Sequence, residues 1–215
     1  MCAAGRERVS AIVVAAGLST RMGALKQLLP YGEHTVIEQI VSVLLECPLD
    51  EVIVVTGHER QAIEAGLAAW PVRCVFNPGY QAGEMLSSVQ CGLLALGSEV
   101  RVALIALGDQ PQLEAAVVEQ LIAAYRAGSG RLLIPSYYMR RGHPILIDRV
   151  YWPEILSLDT AKTLRDFINA RAGEIHYLNV ETDSVLRDMD TPKAYRRELR
   201  RLAVQKGFSG GLKQC

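Results

Sequence analysis

The sequence alternates short apolar runs, rich in β-branched residues, with longer segments whose apolar residues recur every three to four positions. This alternation continues from the first run to about residue 135. Short β-branched runs are typical of buried strands, and the longer spacing is typical of helices that bury one face. Strands that alternate with helices form mostly parallel sheets covered on both faces. We therefore expect an α/β fold with such a sheet.

The same pattern gives bounds for each element. The predicted strands are 9–15, 51–56, 72–76, 101–107 and 131–135, and the predicted helices are 35–46, 59–69, 84–95 and 113–127. After Pro135 the rhythm breaks into a Tyr-, Arg- and Gly-rich loop, which we interpret as an elaboration on the substrate side. It is followed by a short apolar run at 144–147, helical stretches at 150–158 and 161–170, and a strand near Val185. Thr191 and Pro192 predict the N-cap and first position of a last helix, 192–205.

Length and composition limit the class of protein. A chain of 215 residues that is half hydrophobic predicts one domain over residues 1–206, with a frayed tail at 207–215. The 23 basic and 23 acidic side chains balance, so we expect no nucleic-acid partner. Five cysteines without a C-x-x-C pair indicate neither a disulfide framework nor a zinc knuckle. No apolar stretch approaches the ~18 residues of a membrane span and no signal peptide is evident, which favours a cytoplasmic protein without membrane contact.

A loop of small residues follows the first predicted strand. Ala15, Ala16 and Gly17 let the backbone approach a ligand closely and leave N–H groups for anionic oxygens. Arg21 and Lys26 add two cations a few residues later. The loop therefore suits a nucleoside triphosphate, although a plain strand-to-helix turn with two surface cations fits the same residues. It matches neither the ATPase phosphate loop nor the dinucleotide fingerprint.

Three carboxylates are candidates for a metal site. Asp109 directly follows a central apolar run, at the edge where open α/β sheets bind ligands, and Mg²⁺ prefers such oxygen ligands. Asp188 and Asp190 are two residues apart, so in an extended segment they point to the same side. Asp190, just before the predicted last helix, is the better candidate to complete the shell. For Asp188 two roles stay open, an outer-shell contact or a pair with Arg187. For each carboxylate a turn or helix-capping role stays open.

Two further segments carry polar groups suited to a ligand. The basic loop 140–144, with Tyr137 and Tyr138 upstream, has cations, a histidine and aromatic rings for an anionic or planar second substrate. Taken by itself, this segment is explained better by a surface loop with a structural histidine. The segment 77–88 leaves a strand and enters a helix at Ser87 and Ser88, whose hydroxyls are placed to meet a base, ribose or phosphate.

Five segments of the chain occur in a characteristic order, and they read AAGLSTRMGALKQLLPYG, NPGYQAGEMLSSVQCGL, LGDQPQL, RRGHPILI and DMDTPKAY. Together they resemble the MobA-like nucleotidyltransferase family over residues 12–195, and in particular its molybdenum cofactor cytidylyltransferase branch, with accessory proteins of molybdenum hydroxylases nearby. The resemblance implies a Rossmann-like sheet of the nucleotide-diphospho-sugar transferase type. It also implies Mg²⁺-dependent transfer of a nucleotide from an NTP to the terminal phosphate of a molybdopterin-type acceptor, with release of pyrophosphate.

The resemblance also implies residue roles. The Ala-Ala-Gly loop favours CTP over other nucleotides. The chain departs from that branch at residues 158–165, which read LDTAKTLR in place of a Gly-Asp-x-Gly-Ala-Arg-like stretch. This departure concerns the identity of the acceptor. The implied catalytic residues are Arg21, Lys26 and Asp109; the Mg²⁺ ligands are Asp109 and Asp190; and the acceptor contacts are Arg141, His143 and Arg165. The implied nucleotide contacts are Ala15, Ala16, Gly17, Ser19, Arg21, Gly23, Lys26 and Ser88.

Two other functions fit the same residues. One is nucleotidyl transfer to a different phosphate or sugar phosphate, which the loop and Asp109 would serve equally well. The other is a non-catalytic accessory protein that binds a nucleotide or cofactor and passes it to a molybdenum hydroxylase. In that case the strongly basic last helix would be the docking surface.

Overall fold

The computed structural model describes residues 7–81, 85–159, 161–205 and 207. Its strands are β1 (Arg8–Val14), β2 (Pro30–Tyr31), β3 (His34–Thr35), β4 (Glu51–Thr56), β5 (Arg73–Phe76), β6 (Val100–Leu107), β7 (Leu132–Tyr137), β8 (Arg140–Arg141), β9 (Ile145–Asp148) and β10 (Ile175–Asn179). Its α-helices are α1 (Val36–Glu46), α2 (Arg60–Gly66), α3 (Met85–Ala95), α4 (Ala115–Arg126), α5 (Trp152–Ser157), α6 (Leu164–Ala170) and α7 (Pro192–Gln205). Short 3₁₀ helices span Lys26–Leu28, Arg149–Tyr151, Ala172–Glu174 and Asp183–Leu186.

One 8-stranded sheet forms the centre of the fold. Its strands follow the order β10-β7-β9-β6-β1-β4-β5, with β8 paired to β7. The pairs β1–β6, β1–β4, β4–β5 and β7–β10 are parallel, and β9 is antiparallel to both of its neighbours. The expected mostly parallel sheet is therefore confirmed. Because β1 and β6 are parallel neighbours, with Val14 opposite Leu107, the loops that follow them begin side by side.

Helices cover both faces of this sheet, as expected. Alternate strand residues point to opposite faces, so Val13 belongs to one buried cluster and Ile12 to the other. The first cluster includes the apolar faces of α1, α2 and α4, and the second those of α3, α5 and α6. The helices within the described ranges are all too short or too polar to span a bilayer.

The predicted strands before residue 135 are all present within two residues of their expected bounds, and the helices between them within three. The last helix is also confirmed, and the Thr191 hydroxyl accepts a hydrogen bond from the Ala194 N–H as its N-cap. The predicted start of one helix at Glu84 and the tail at 208–215 lie outside the described residues.

The strand predicted near Val185 is wrong. Residues Asp183–Leu186 form a 3₁₀ helix, and the Thr182 side chain accepts a hydrogen bond from the Ser184 N–H at its start. Thr182 thus caps a short helix, and the apolar pair Val185 and Leu186 lies in that helix instead of a strand. The strand in this region is β10, which pairs with β7 at the end of the sheet path. It has no fully buried residue, so its apolar alternation is weak in the sequence.

Candidate active site

The loops after β1 and β6 meet at Gly108. Its N–H donates to the Val14 carbonyl oxygen at 2.9 Å. A Cβ at this position would lie 2.8 Å from that same oxygen and 3.0 Å from the Cβ of Ala15. Only a glycine permits this approach, and it places Asp109 directly beside the small-residue loop.

A cleft of about 440 Å³ opens at this junction. A cavity of this size is within the range of small-molecule sites. Eight of the residues predicted to bind nucleotide or metal line it, namely Ala16, Gly17, Ser19, Arg21, Lys26, Ser88, Asp109 and Asp190. The structure therefore brings together segments that are distant in sequence, at the carboxyl ends of β1 and β6.

The loop from residue 16 to residue 21 presents its backbone to this cleft. Within the described part of the chain, no N–H of these six residues donates a hydrogen bond to another group. Ser19 has a positive φ of 52°, which turns the chain after Gly17. Successive free N–H groups beside a turn are suited to anionic oxygens.

The charged side chains of the cleft form one connected cluster. The Lys26 ammonium nitrogen lies 2.6 Å from Asp109 Oδ2 and 2.8 Å from Asp190 Oδ1. The second oxygen of Asp190 lies 2.6 Å from Arg21 Nη2. Lys26 and Asp109 are mostly buried, whereas the Arg21 side chain is 69% exposed. Both carboxylates thus converge on a single cation-sized position, which the lysine ammonium fills.

This cluster shifts the pKa values of its members. Burial lowers the pKa of Lys26, but the charges and hydrogen bonds of Asp109 and Asp190 outweigh burial and raise it overall. Burial raises the pKa of Asp190, but Lys26 and Arg21 outweigh it, and the pKa falls. For Asp188, burial and the charges of Asp190 and Asp109 both raise the pKa. Asp188 therefore lies within electrostatic reach of the cleft.

A metal site of three or more His, Cys, Asp or Glu side chains is not preassembled among the described residues. Asp109 and Asp190 nevertheless aim oxygens at the same point, and carboxylate oxygens are the ligands that Mg²⁺ prefers. The donor set fits a divalent cation if Lys26 moves away.

Two of the predicted nucleotide contacts do not line the cleft. Ala15 is buried, and its N–H donates to the Val55 carbonyl oxygen as a continuation of the sheet. Gly23 is exposed and has a positive φ of 68° within the turn that follows the loop. Part of the predicted ligand segment 77–88, residues 82–84, lies outside the described residues.

The three predicted acceptor contacts also lie outside this cleft. Arg141 donates to Tyr177 Oη at 2.9 Å and to Asn169 Oδ1 at 2.7 Å, on the side of α6 and β10. Arg165 is exposed in the first turn of α6. The Nε2 atom of His143 is buried and has no hydrogen-bond partner within the described ranges. Burial lowers the pKa of His143 to about 4, so the ring is neutral at pH 7.

Two glutamines of the site were not among the residues predicted from the sequence. Gln27 is buried; its Nε2 donates to the Ala15 carbonyl at 3.4 Å and its Oε1 accepts from Ser19 Oγ at 3.2 Å. Gln112 Nε2 donates to the carbonyl oxygens of Ser184 at 3.1 Å and Arg187 at 2.6 Å. Gln112 thus ties the segment after Asp109 to the segment that carries Asp190. The sequence around each glutamine does not predict these contacts, because each side chain donates to backbone carbonyl groups that only the fold brings near.

Comparison with known proteins identifies relatives that match most of the chain. Residues 11–175 match the family model of the MobA-like NTP transferase domain. Nicotine blue oxidoreductase from Paenarthrobacter nicotinovorans is 31% identical over 192 residues, which cover 85% of this chain and 92% of that protein. Molybdenum cofactor cytidylyltransferase from Escherichia coli is 26% identical over 190 residues, which cover 86% of this chain and 92% of that protein.

The fold also matches solved structures. The crystal structure of Rv0371c from Mycobacterium tuberculosis has a TM-score of 0.80 and 26% sequence identity, and the match covers 90% of this chain and 98% of that chain. A complex of the same protein with manganese has a TM-score of 0.76 and 25% identity, with the same coverage. These matches confirm the α/β fold of nucleotide-diphospho-sugar transferase type.

Proposed function

Because this chain belongs to the MobA-like NTP transferase domain family, we propose that it transfers CMP from CTP to the terminal phosphate of a molybdopterin-type acceptor and releases pyrophosphate. The observation that carries this proposal is the convergence of two cations, Arg21 and Lys26, with two carboxylates, Asp109 and Asp190, beside a loop of free N–H groups. This combination is suited to nucleotidyl transfer, which depends on positioning and on stabilisation of phosphate charge. The Escherichia coli cytidylyltransferase supports the choice of CTP and acceptor.

In the proposed complex the triphosphate lies along residues 16–21. The free N–H groups donate to phosphate oxygens, and Arg21 and Lys26 neutralise the charge that develops on the pyrophosphate. Lys26 exchanges its carboxylate partners for phosphate oxygens when the nucleotide enters. Ala16, Gly17 and Ser88 line the same cleft and contact the base and ribose.

A divalent cation, Mg²⁺, is part of this proposal, with Asp109 and Asp190 as its protein ligands. The convergence of their oxygens on the Lys26 ammonium supports that assignment. The manganese complex of Rv0371c supports a divalent metal in this fold. When bound, Mg²⁺ supplies positive charge to the phosphate oxygens and helps to orient the reactants.

The transfer step is an in-line substitution at the α-phosphorus of CTP. An oxygen of the acceptor phosphate forms a bond to that phosphorus, the bond to the bridging oxygen of the β-phosphate breaks, and pyrophosphate leaves with the electron pair. The attacking phosphate is already ionised at pH 7, so no side chain has to remove a proton. The chain's own contribution is therefore to hold CTP and the acceptor in line, with Arg21 and Lys26 at the leaving group.

The acceptor contacts are a separate part of the proposal. Arg165 lies one helical turn before Asn169, which binds Arg141, so both arginines lie along one side of α6. Arg141 belongs to β8, so these charges are suited to attract an anionic acceptor towards the hairpin β7–β8, and they serve another phosphate or a sugar phosphate equally well. Product analysis with several acceptors distinguishes these substrates.

The test is pyrophosphate release from CTP, GTP and ATP with Mg²⁺ and purified molybdenum cofactor, with Asp109→Asn and Glu119→Gln compared. We expect release with CTP, loss in Asp109→Asn, and normal release in Glu119→Gln, an exposed carboxylate on α4. Release with another nucleotide alone would reject the CTP assignment. Nucleotide binding without any release would favour the accessory role, in which the exposed basic side chains of α7 contact a molybdenum hydroxylase.

The relative named nicotine blue oxidoreductase favours a second candidate function. In this candidate function the cleft beside Arg21 and Lys26 would hold the pyrophosphate of a nicotinamide dinucleotide, which would pass a hydride to a planar acceptor. The sequence lacks the glycine fingerprint of dinucleotide-binding sheets. Oxidation of NADH or NADPH in the presence of a quinonoid dye, followed by absorbance, would establish this function in place of nucleotidyl transfer.

A further inference from the structure

A second cleft of about 370 Å³ lies next to the proposed nucleotide site. Its walls are the hairpin β7–β8, the segment 183–188 and one side of α7. Asp188 lines this cleft, and Asp190, two residues later, lines the first one. The two clefts therefore meet at one short segment, and we call the second one the hairpin groove.

The tip of the hairpin carries exposed apolar side chains on a strained backbone. Tyr138 is 83% exposed and Met139 is 92% exposed, and both have positive φ values, 45° and 63°. Glycine and asparagine are the residues that adopt such turns without strain. The Tyr138 ring packs edge-on to Tyr137, with centroids 4.6 Å apart. A strained turn that presents an unburied aromatic ring indicates a ligand contact, because folding alone does not favour it.

The hairpin groove also carries excess positive charge. Four guanidinium groups and two carboxylates line it. Arg140 makes no hydrogen bond or ion pair with any side chain in the described ranges, and Arg197 reaches only one carboxylate, at 3.8 Å. Because adjacent strand residues point to opposite faces, Arg141 turns to α6 while Arg140 turns to the groove.

A glycine fixes the width of the groove. A Cβ at Gly142 would lie 2.5 Å from the Val185 carbonyl oxygen, so the end of the hairpin packs directly on the 3₁₀ helix Asp183–Leu186. The His143 N–H donates to that same oxygen at 2.9 Å. The hairpin is therefore held at a set distance from Asp188, and the groove is part of the folded architecture.

We propose that the hairpin groove binds the ring of the acceptor, which is a planar, nitrogen-rich heteroaromatic anion, between Tyr138 and Arg140. This inference rests on the proposed function, which makes the acceptor a pterin-type phosphate. The ring stacks on Tyr138, Arg140 and Arg197 neutralise its charge, and its phosphate extends past Asp188 towards the nucleotide cleft. The acceptor then enters from the hairpin side and CTP from the loop side.

The test uses pterin-6-carboxylate, a fluorescent planar anion, titrated with the intact chain in the absence of nucleotide. We expect saturable quenching. Tyr138→Ala and Arg140→Ala should each weaken binding about tenfold, as for the loss of one stacking or charged contact. Tyr138→Phe keeps the ring and should bind within about twofold of the unmodified chain. Arg126→Ala, an exposed arginine on α4, is the matched control and should bind normally.

Absence of quenching with the unmodified chain would overturn the proposal. So would equal affinity in Tyr138→Ala, Arg140→Ala and Arg126→Ala, because the probe would then bind elsewhere. CTP binding, measured separately by calorimetry, should be unchanged in the two groove variants. A chain that binds the pterin but not CTP would refute the proposed function and leave the groove assignment standing.

Discussion

The Lys26 ammonium lies 2.6 Å from a carboxylate oxygen of Asp109, although the two residues are 83 positions apart in the chain. This contact exists because β1 and β6 are parallel neighbours whose loops begin side by side. Lys26 belongs to the first loop and Asp109 to the second. The pair therefore joins the proposed phosphate-binding loop to the proposed metal ligand, and changes to either side chain should act on the same point of the cleft.

Asp109→Asn should reduce nucleotidyl transfer by about 100-fold or more, since loss of one group that stabilises the transition state has that effect. The amide keeps the shape of the carboxylate, so the fold and the approach at Gly108 should stay intact. Pyrophosphate release gives the rate, and circular dichroism checks the fold. A folded variant with near-normal activity would remove Asp109 from the site.

Lys26→Met should bind Mn²⁺ about tenfold more tightly than the unmodified chain when no nucleotide is present. In the unmodified chain the ammonium fills the point on which Asp109 and Asp190 converge, so a metal has to displace it. Methionine keeps the length of the side chain but not its charge. The electron paramagnetic resonance signal of free Mn²⁺ measures the affinity without any turnover. Equal or weaker binding in the variant would show that Lys26 does not compete with the metal.

Local sequence patterns were sufficient for the elements that hold the site. The run before Asp109 is apolar on every residue from 102 to 107, which is typical of a strand buried on both faces, and β6 is such a strand. The Thr191–Pro192 pair predicted where α7 begins. Because open α/β sheets bind ligands at the carboxyl ends of their strands, the placement of Asp109 at that edge followed from the same reasoning.

The patterns were insufficient where contacts depend on tertiary structure. Nothing near Lys26 in the sequence shows that its ammonium lies between Asp109 and Asp190, because these three residues meet only after folding. The pair Arg140 and Arg141 reads as one basic motif, yet the two residues form strand β8, so their side chains point to opposite faces. A half-exposed edge strand such as β10 also shows too little alternation of apolar and polar residues to be predicted from the sequence.

His143 should make the fold less stable at mildly acidic pH. Burial lowers the pKa of His143 to about 4, below the usual value near 6.5 in an unfolded chain. The unfolded state therefore binds more protons than the folded state between these two pH values. As far as His143 determines it, the free energy of unfolding is highest above pH 6.5 and decreases as the pH falls. Between pH 7.5 and pH 5.0 this residue alone should cost about 2 kcal/mol in the free energy of unfolding.

The matched variant for this effect is His143→Gln, which keeps a polar side chain that does not titrate. Urea denaturation at the two pH values gives the free energy of unfolding of each protein. The unmodified chain should lose about 2 kcal/mol more than the variant over this range, whatever the other groups contribute. If both proteins lose the same amount, the ring is not buried in its neutral form.

Gln112→Ala should lower kcat about tenfold while changing the affinity for CTP much less. Gln112 Nε2 holds the carbonyl oxygens of Ser184 and Arg187, and so fixes the segment that ends at Asp190 relative to the loop that carries Asp109. Small displacements of a reacting group are costly in rate, because alignment of the reactants supplies much of the catalysis. Gln120→Ala, an exposed glutamine on α4, is the control and should leave kcat unchanged. Equal loss of CTP affinity and kcat would instead mean that Gln112 supports the nucleotide cleft as a whole.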